Sequence, residues 1–530
     1  MKRHLRTFLC GIAAMALCMG MAACHETPSD RSQDPSELTG SSLSAGTTMA
    51  GETERTEPDM TTAETTRGDT TADRSRSTAT ETTGRVTRPQ QTDPASGGND
   101  GQPVRVLAEK QDVDIIRTDA DGRRRLVYLK MTNYEGITHK DCVLTYTEDG
   151  RTASRDVYTI YLNEKVVYDT VWLKSSTKSV PAELKDGAGR RIWKGTLTVQ
   201  PASKQTVIKK TTVYNEKTLK PGTIRGVNYY PRYTPWNAWT KQNPKTWDSE
   251  FKEISGKLNA NAIRTFAECW ETDRMLGFCA SASYLSTLNS LFAAADKYGI
   301  HVLFCLYSAG PDAIMSYNLR YVRSIVEPFI HDGRVLGWDL INEIDDKGLS
   351  EKEVVDDFCR TCYPYLSEID PNHLNQIGFA FMLDKALKAG LTFDKPNQSW
   401  QYHYYRKTDA ANIALWIDKY FKDRPFILGE CGDTSAKKVT DGAPREFLGE
   451  EWQLAVYQTL IPAFNDSVAA GRKMLGMFPW TAFDFPGFGG STGQGEFGLI
   501  REDGSVKPAG EYLGAEYAKI KQSRPAQWDK

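Results

Sequence analysis

Between residues 223 and 481 the chain alternates short apolar runs with amphipathic helical patterns, and this alternation constrains the fold more than any other feature. The helical segments place apolar side chains on one face, as Phe251, Ile254 and Leu258 do. Strands alternating with such helices predict βαβ units and a parallel sheet. Eight units in about 300 residues predict an α/β fold, a (β/α)8 TIM barrel. The eight strand candidates are residues 223–229, 262–266, 301–306, 335–341, 375–380, 400–405, 426–429 and 474–481.

Residues 103–213 carry a different pattern, in which β-branched and aromatic residues alternate with polar ones. Turn signals such as Glu148-Asp149-Gly150 and Asp186-Gly187 separate the runs. About seven short strands in about 110 residues predict a small all-β sandwich of the immunoglobulin-like or jelly-roll type. We expect this domain to precede the barrel domain, which spans residues 214–530.

The first 24 residues have the pattern of an export signal. Lys2, Arg3 and Arg6 precede an apolar run that continues to Ala23. Such a run is shorter than a membrane-spanning helix and is typical of a signal peptide. Its end, Met21-Ala22-Ala23-Cys24, resembles a bacterial lipoprotein cleavage site. We therefore expect lipidation of Cys24, which would anchor the protein on the extracellular side of the bacterial cell membrane.

Residues 25–102 predict a disordered tether. They contain no Phe, Trp, Tyr or Ile and are rich in Thr, Ser, Glu, Asp, Arg and Gly. Such a segment buries too little apolar surface to offset the entropy lost on ordering. As a flexible coil it would hold the folded part on the order of 50 Å from the anchor.

Charge and cysteine content exclude some partners. The net charge is −2, and the folded part has no basic stretch interleaved with aromatics, so we expect no nucleic-acid partner. Seven cysteines follow the signal, an odd number that predicts no disulfide framework. Cys359-x-x-Cys362 has no second pair to complete a zinc site, so helix packing is the better interpretation. We expect no metal and no cofactor, and a monomeric chain.

Two of the apolar runs deliver a glutamate to the same end of the barrel. Residues 335–345 read VLGWDLINEID and place Asn342 and Glu343 after a buried strand, and residues 425–431 read PFILGEC and place Glu430 likewise. The carboxyl ends of barrel strands form the face that carries the active site. Paired carboxylates there are typical of glycoside hydrolysis, in which one acts as acid/base and the other as nucleophile or base.

The strand ends together resemble glycoside hydrolase clan A, and within it family 5, the cellulase- and mannanase-like enzymes. The resemblance covers residues 222 to about 522, outside the sandwich and the tether. It rests on residues that occur in the family's order on successive strands: Arg264, Asn342, Glu343, His403, Tyr405, Glu430 and Trp480.

This resemblance implies a retaining mechanism in which Glu343 is the acid/base and Glu430 the nucleophile. It also implies that Arg264 and Tyr405 orient the nucleophile and that Arg264 keeps Glu430 ionised. Asn342 would bond the 2-hydroxyl of the reacting sugar.

Two further roles follow from the resemblance. His403 would contact sugar or the acid/base, and Trp480 would offer an apolar face to the sugar.

Three positions depart from the family pattern. The histidine that often follows strand three is replaced by the sequence Leu306-Tyr307-Ser308, Ile344 replaces the proline after Asn-Glu, and Cys431 follows the nucleophile. These departures leave both carboxylates in place but weaken any assignment of the sugar.

Aromatic residues near the barrel rim give a hint of substrate length. Tyr229, Tyr230, Trp236 and Trp239 follow strand one, and Trp270 follows strand two, so Trp270 is a candidate substrate-binding residue. Rings in a row could stack several sugars, which favours an oligo- or polysaccharide substrate.

The interpretation that we favour is a cell-surface retaining hydrolase of β-linked glycans, endo-acting on β-glucan or β-mannan. An exo-acting β-glycosidase of the same clan and a non-catalytic surface glycan-binding protein are the alternatives.

Overall fold

The structure is a computed structural model. It describes residues 101–109, 124–162, 166–199, 219–235, 243–267, 275–276, 279–308, 315–346, 350, 353–380, 395, 397–405, 414–415, 417–421, 424–437, 448–486 and 493–524. The signal and nearly all of the tether fall outside these residues, Cys24 included, as do Trp236, Trp239 and Trp270.

Among the described residues, seven antiparallel strands form two sheets before the barrel, in the orders β1-β2-β5 and β4-β3-β6-β7. Val180, Ala182 and Leu184 on β6 are buried in the predicted alternation with more exposed residues. Trp193 is buried in the same core. The strands are β1 (Val104–Glu109), β2 (Arg124–Asn133), β3 (His139–Glu148), β4 (Arg151–Ile160), β5 (Val167–Lys174), β6 (Ser179–Lys185) and β7 (Arg191–Thr198).

Among the described residues, eight parallel strands form a third sheet, in the order β14-β13-β12-β9-β8-β17-β16-β15. Its two ends meet, because the Ser399 N–H donates to the Asn375 carbonyl (3.0 Å) and the His403 N–H to the Phe379 carbonyl (3.1 Å). The strands are β8 (Ile224–Asn228), β9 (Ala262–Phe266), β10 (Met275–Leu276), β11 (Cys279–Ala280), β12 (His301–Cys305), β13 (Val335–Asp339), β14 (Leu374–Gln376), β15 (Trp400–Tyr404), β16 (Phe426–Cys431) and β17 (Met474–Pro479), of which β10 and β11 form a separate antiparallel ribbon.

Helices pack outside this sheet. In α1 the Asn243 side chain accepts a hydrogen bond from the Lys245 N–H, Pro244 occupies the first turn, and Asn259 ends the helix in a left-handed conformation. The α-helices are α1 (Pro244–Leu258), α2 (Ala282–Asp296), α3 (Met315–Val326), α4 (Tyr363–Ile369), α5 (Gly449–Ala469) and α6 (Pro508–Ser523). Glu353–Cys362 and Ile417–Phe421 are π-helical, and Glu327–Phe329, Ile344–Asp346 and Gln494–Glu496 are 3-10 turns.

The predicted fold class is confirmed: antiparallel sheets precede a parallel barrel surrounded by helices. Apolar side chains fill the barrel near the N-terminal ends of its strands, where Leu303, Leu336 and Ile427 form one cluster. Further along the same strands, polar side chains replace them, beginning with Arg264 and Asn228, which are fully buried. This change sets the floor of the candidate site.

The sandwich contacts the barrel through charged residues on α3 and on the 3-10 turn that follows it. Arg323 bonds the Asp169 carboxylate on β5 at 2.5 Å and the Asp156 carbonyl on β4 at 2.8 Å. Arg155 on β4 forms two bonds to the Glu327 carboxylate, at 2.7 and 2.8 Å. Paired guanidinium and carboxylate groups of this kind fix relative orientation. The sandwich is therefore docked on the barrel by directional contacts.

The cysteines after the signal are buried wherever the structure describes them. Burial raises the pKa of the Cys362 thiol to about 12, and the pKa of Cys359 is also raised. Thiols of this kind are poor metal ligands, since the thiolate is the binding form. Within the described ranges, no helix combines the length and the apolar character that crossing a bilayer requires.

Candidate active site

Glu343 and Glu430 come together at the C-terminal end of the barrel. Glu430 lies within β16, and Glu343 lies in the turn that follows β13. A carboxylate oxygen of each, together with a ring nitrogen of His403, lie within 4.8 Å of one another. Glu430 is buried, whereas Glu343 is partly accessible. One carboxylate thus lies deep in the site and the other at its mouth.

The backbone holds Glu343 in a conformation that most residues avoid. Its φ is +47°, in the left-handed region. The flanking residues fix the turn, because the Asn342 N–H donates to the Tyr307 carbonyl and the Ile344 N–H to the Gly378 carbonyl. A side chain at Gly378 would approach the Ile341 carbonyl to 3.0 Å. Strain of this kind persists only where surrounding bonds impose it, and it aims Glu343 into the site.

Arg264 lies beneath the nucleophile candidate and is fully buried. Its Nη1 donates to Glu430 Oε1 (2.8 Å) and to Asn228 Oδ1 (3.0 Å). Its Nε and Nη2 both donate to Asp339 Oδ2, at 2.9 and 2.7 Å. Although burial opposes its charge, the carboxylates of Asp339 and Glu430 raise the pKa of Arg264. Arg264 therefore provides Glu430 with a permanent positive neighbour.

Tyr405 bonds the other oxygen of the same carboxylate. Its hydroxyl donates to Glu430 Oε2 at 2.5 Å. Burial raises the pKa of Tyr405 well above its usual value, and the charges of Glu430 and Glu343 raise it further. The hydroxyl thus remains a donor, and together with Arg264 it holds both oxygens of Glu430 in place.

His403 contacts both carboxylates, whereas Asn342 is bound by Arg264. His403 Nδ1 lies 2.8 Å from Glu343 Oε1 and 3.6 Å from Glu430 Oε2. Arg264 Nη2 donates to Asn342 Oδ1 at 2.8 Å. Because the oxygen of this amide accepts from Arg264, its NH2 group is the end that can donate to a ligand.

Trp480 follows β17 and forms an aromatic wall with Tyr230 and Phe266. Its ring meets both edge-on, with centroids 6.1 and 5.9 Å away, and those two rings stack at 4.9 Å. Trp480 is half-buried, and its backbone N–H donates to the Cys431 carbonyl. The sequence-predicted residues Arg264, Asn342, Glu343, His403, Tyr405, Glu430 and Trp480 thus meet at one end of the barrel, whereas Trp270 lies outside the described residues.

Tyr307, Ile344 and Cys431 are the positions at which the sequence differs from the family 5 pattern that it resembles. The Tyr307 hydroxyl donates to Asn318 Oδ1 (3.0 Å) on α3. Ile344 and Cys431 are both fully buried.

Sequence reasoning missed three buried polar residues that support the site. Asp339 and Asn228 bond Arg264, and Gln401 Nε2 donates to Asp339 Oδ2 at 3.1 Å. The sequence did contain a signal for Asp339, which interrupts an apolar strand run. A carboxylate buried in such a strand requires a charged or hydrogen-bonding partner.

Glu343, His403 and Glu430 could also place ligand atoms around a cation. Glu430 already has Arg264 as its counter-charge, so a cation there would face a fixed guanidinium. The arrangement is better suited to acid/base and nucleophilic chemistry. Glu430 is ion-paired and aimed, and Glu343 is exposed enough to exchange a proton with a ligand or with water.

No family model matches the sequence. A curated protein described as probable mannan endo-1,4-beta-mannosidase F, from Neosartorya fischeri, is 25% identical over 205 residues, which are 33% of this chain and 43% of that protein. This chain thus spans less than half the length of that curated relative.

Among solved structures, an exo-beta-1,4-mannosidase from Opitutaceae bacterium strain TAV5 is 17% identical, with a TM-score of 0.47 over 59% of this chain and 63% of that chain. A Bacteroides uniformis beta-glucuronidase 2 is 15% identical, with a TM-score of 0.43 over 79% of this chain and 50% of that chain. Both TM-scores lie under 0.5.

Proposed function

We propose that this chain is a retaining hydrolase of β-linked glycans. The observation that carries the proposal is the spacing of the two carboxylates, whose nearest oxygens lie within 4.8 Å. Retaining glycosidases hold their carboxyl groups about 5 to 5.5 Å apart, whereas inverting enzymes leave about 6.5 to 9.5 Å for a water molecule. The short spacing favours direct attack by one carboxylate.

In the first step Glu430 attacks the anomeric carbon while the glycosidic bond breaks. Glu343 gives its proton to the departing oxygen, so that the leaving group departs as a neutral alcohol. In the second step water attacks the glycosyl-enzyme and Glu343 takes a proton from it, which releases Glu430 and the sugar. Arg264 and Tyr405 keep Glu430 ionised and oriented for the first attack.

As substrate we propose a β-linked mannan first and a β-glucan second. The description of the curated relative supports mannan, and the aromatic wall at Trp480 supports a stacked sugar ring. We also propose endo action, because the sequence places several aromatic residues after strands one and two that could stack successive sugars. The proposed location is the outer face of the cell membrane, reached through a lipid on Cys24.

The proposal is tested on a panel of mannan, glucan, xylan and xyloglucan, with sizing of the products. Endo action on mannan predicts a rapid fall in chain length with few monosaccharides at early times. Early release of single sugars would instead identify an exo-acting enzyme. Binding without cleavage of any of the four would identify a glycan-binding protein and contradict the proposal.

A further inference from the structure

The buried amide of Gln401 occupies a position between two groups of the site. Its Nε2 lies 3.1 Å from Asp339 Oδ2 and 3.3 Å from His403 Nε2. Gln401 and Asp339 are fully buried and His403 nearly so. Gly429, next to the nucleophile candidate, leaves room for this amide, because a Cβ there would lie 2.1 Å from Gln401 Nε2.

Asp339 decides which way the amide faces. Its Oδ2 accepts two bonds from Arg264, whose N–H groups can only donate, so this oxygen faces the amide as an acceptor. Turning the amide over would place Gln401 Oε1 against this carboxylate and would leave the NH2 group without its two acceptors. Gln401 Oε1 has no hydrogen-bond partner among the described residues, so nothing there favours the reverse orientation.

With the amide fixed, its second N–H points at His403 Nε2. A ring nitrogen that faces a donor must carry a lone pair. The opposite nitrogen, Nδ1, faces carboxylate oxygens of Glu343 and Glu430, which favour a proton there. The ring would then be neutral, with its single proton on Nδ1.

We propose that Gln401, held by Asp339, is a positioning residue that keeps His403 neutral and directs the acid proton of Glu343 toward substrate. Two carboxylates beside Nδ1 would otherwise favour an imidazolium, which would take the proton that Glu343 needs. The Nδ1–H donates to Glu343 Oε1, so the acid proton is on Oε2, away from the ring. This inference rests on the proposed function for its consequence, but the protonation of His403 is measurable without any activity.

The first test reads the ring directly, by NMR of protein labelled with 15N in its seven histidines. Nitrogen shifts separate protonated from unprotonated ring nitrogens, and loss of a signal in His403→Asn assigns His403. We expect a neutral ring with the proton on Nδ1 at neutral pH. A proton on Nε2, alone or in an imidazolium, would overturn the inference whether or not the protein cleaves glycans.

The second test uses Gln401→Met, which keeps the length of the side chain and removes the donor. General acid catalysis is worth on the order of 10²- to 10⁴-fold, and it matters least for substrates whose leaving group needs no proton. We expect at least about a tenfold fall in kcat/KM on the glycan and a change within about threefold on a dinitrophenyl glycoside. The NMR signals of His403 should change in the same variant.

The matched control is Gln376→Met, since Gln376 is a fully buried glutamine of the same barrel that bonds Ser399. This variant should change kcat/KM by the same factor for both substrates and leave the NMR signals of His403 unchanged. If Gln401→Met lowers kcat/KM equally for the two substrates, Gln401 is only structural and the inference fails. If Gln401→Met does not fold, Gln401→Glu replaces it and should produce an imidazolium at His403; a ring that stays neutral would contradict the inference.

Discussion

The hydroxyl oxygen of Tyr405 lies 2.5 Å from Oε2 of Glu430, the oxygen that Arg264 leaves free. Two neighbouring groups thus hold the two oxygens of one carboxylate. Because a hydrogen bond to a charged group contributes about 1.5 to 3 kcal/mol, the contact is measurable by deleting one atom.

Tyr405→Phe removes this hydroxyl and almost no volume. We expect kcat/KM to fall on the order of 10- to 150-fold if the transition state bears the whole loss. Thermal unfolding should show that the variant is folded. Tyr512→Phe on α6 is the control and should leave the rate unchanged. A folded Tyr405→Phe variant with the wild-type rate would remove Tyr405 from the site.

Breaking the buried ion pair between sandwich and barrel should destabilise the protein. Arg323→Met leaves the buried Asp169 carboxylate on β5 with Arg155, whose Nε lies 3.8 Å from Oδ1, as its remaining ion-pair partner among the described residues. Loss of one member of a buried pair costs about 3 to 5 kcal/mol, and denaturant unfolding measures it. Lys297→Met, which breaks an exposed pair with Asp248, is the control and should have no measurable effect. Equal effects of the two variants would show that the interface does not depend on Arg323.

Glu250 should make stability depend on pH. Burial raises its pKa to about 7, although the Tyr229 hydroxyl and the Arg232 N–H both bond its carboxylate. Between pH 4.5, the ordinary pKa of the group, and about 7, the folded state binds more protons than the unfolded state. The free energy of unfolding therefore falls as pH rises through this window, by about 3 kcal/mol at most.

Glu250→Gln removes this titratable group and so measures how much Glu250 contributes to the pH dependence of the free energy of unfolding. The difference in free energy of unfolding, variant minus wild type, should therefore rise by roughly 2 to 3 kcal/mol between pH 4.5 and pH 8. Urea unfolding of both proteins at the two pH values measures the difference. Parallel stability profiles for the two proteins would show that Glu250 does not titrate in this range.

The sequence predicted the barrel and most of the candidate site, because both depend on local patterns. Buried strands ending in glutamate predict the positions of Glu343 and Glu430, and alternation along β15 predicts that His403 and Tyr405 share a face. The strand bounds were less accurate. The fifth strand is Leu374–Gln376 rather than 375–380, because the apolar residues Ile377 and Phe379 stay buried after they leave the ladder.

What the sequence could not supply are contacts between distant strands. Asp339 and Arg264 bond across the barrel from β13 and β9, which are not neighbours in the sheet. Gln401 reaches Asp339 only because Gly429 on the adjacent strand leaves room. The pairing of β15 with β16 also shifts register between Tyr402 and His403, and no alternation rule predicts such an irregularity.

The proposed anchor is tested by Cys24→Ser. Without the lipidated cysteine, the protein should leave the membrane fraction and keep its specific activity, because a flexible segment is expected to separate the lipid from the fold. Cell fractionation followed by a salt wash measures this. A variant that stays in the washed membranes would contradict the lipoprotein proposal.

The central claim is that Glu430 forms a covalent bond with the sugar, and trapping that bond tests it most directly. A 2-deoxy-2-fluoro mannoside with a good leaving group slows both steps, so the glycosyl-enzyme should accumulate. Intact mass spectrometry should show one added sugar, and peptide sequencing should locate it on Glu430. Glu430→Ala should show no adduct, and Glu343→Ala supplied with azide should yield a β-linked glycosyl azide. Turnover without an adduct, with a first product of inverted anomeric configuration, would contradict the account.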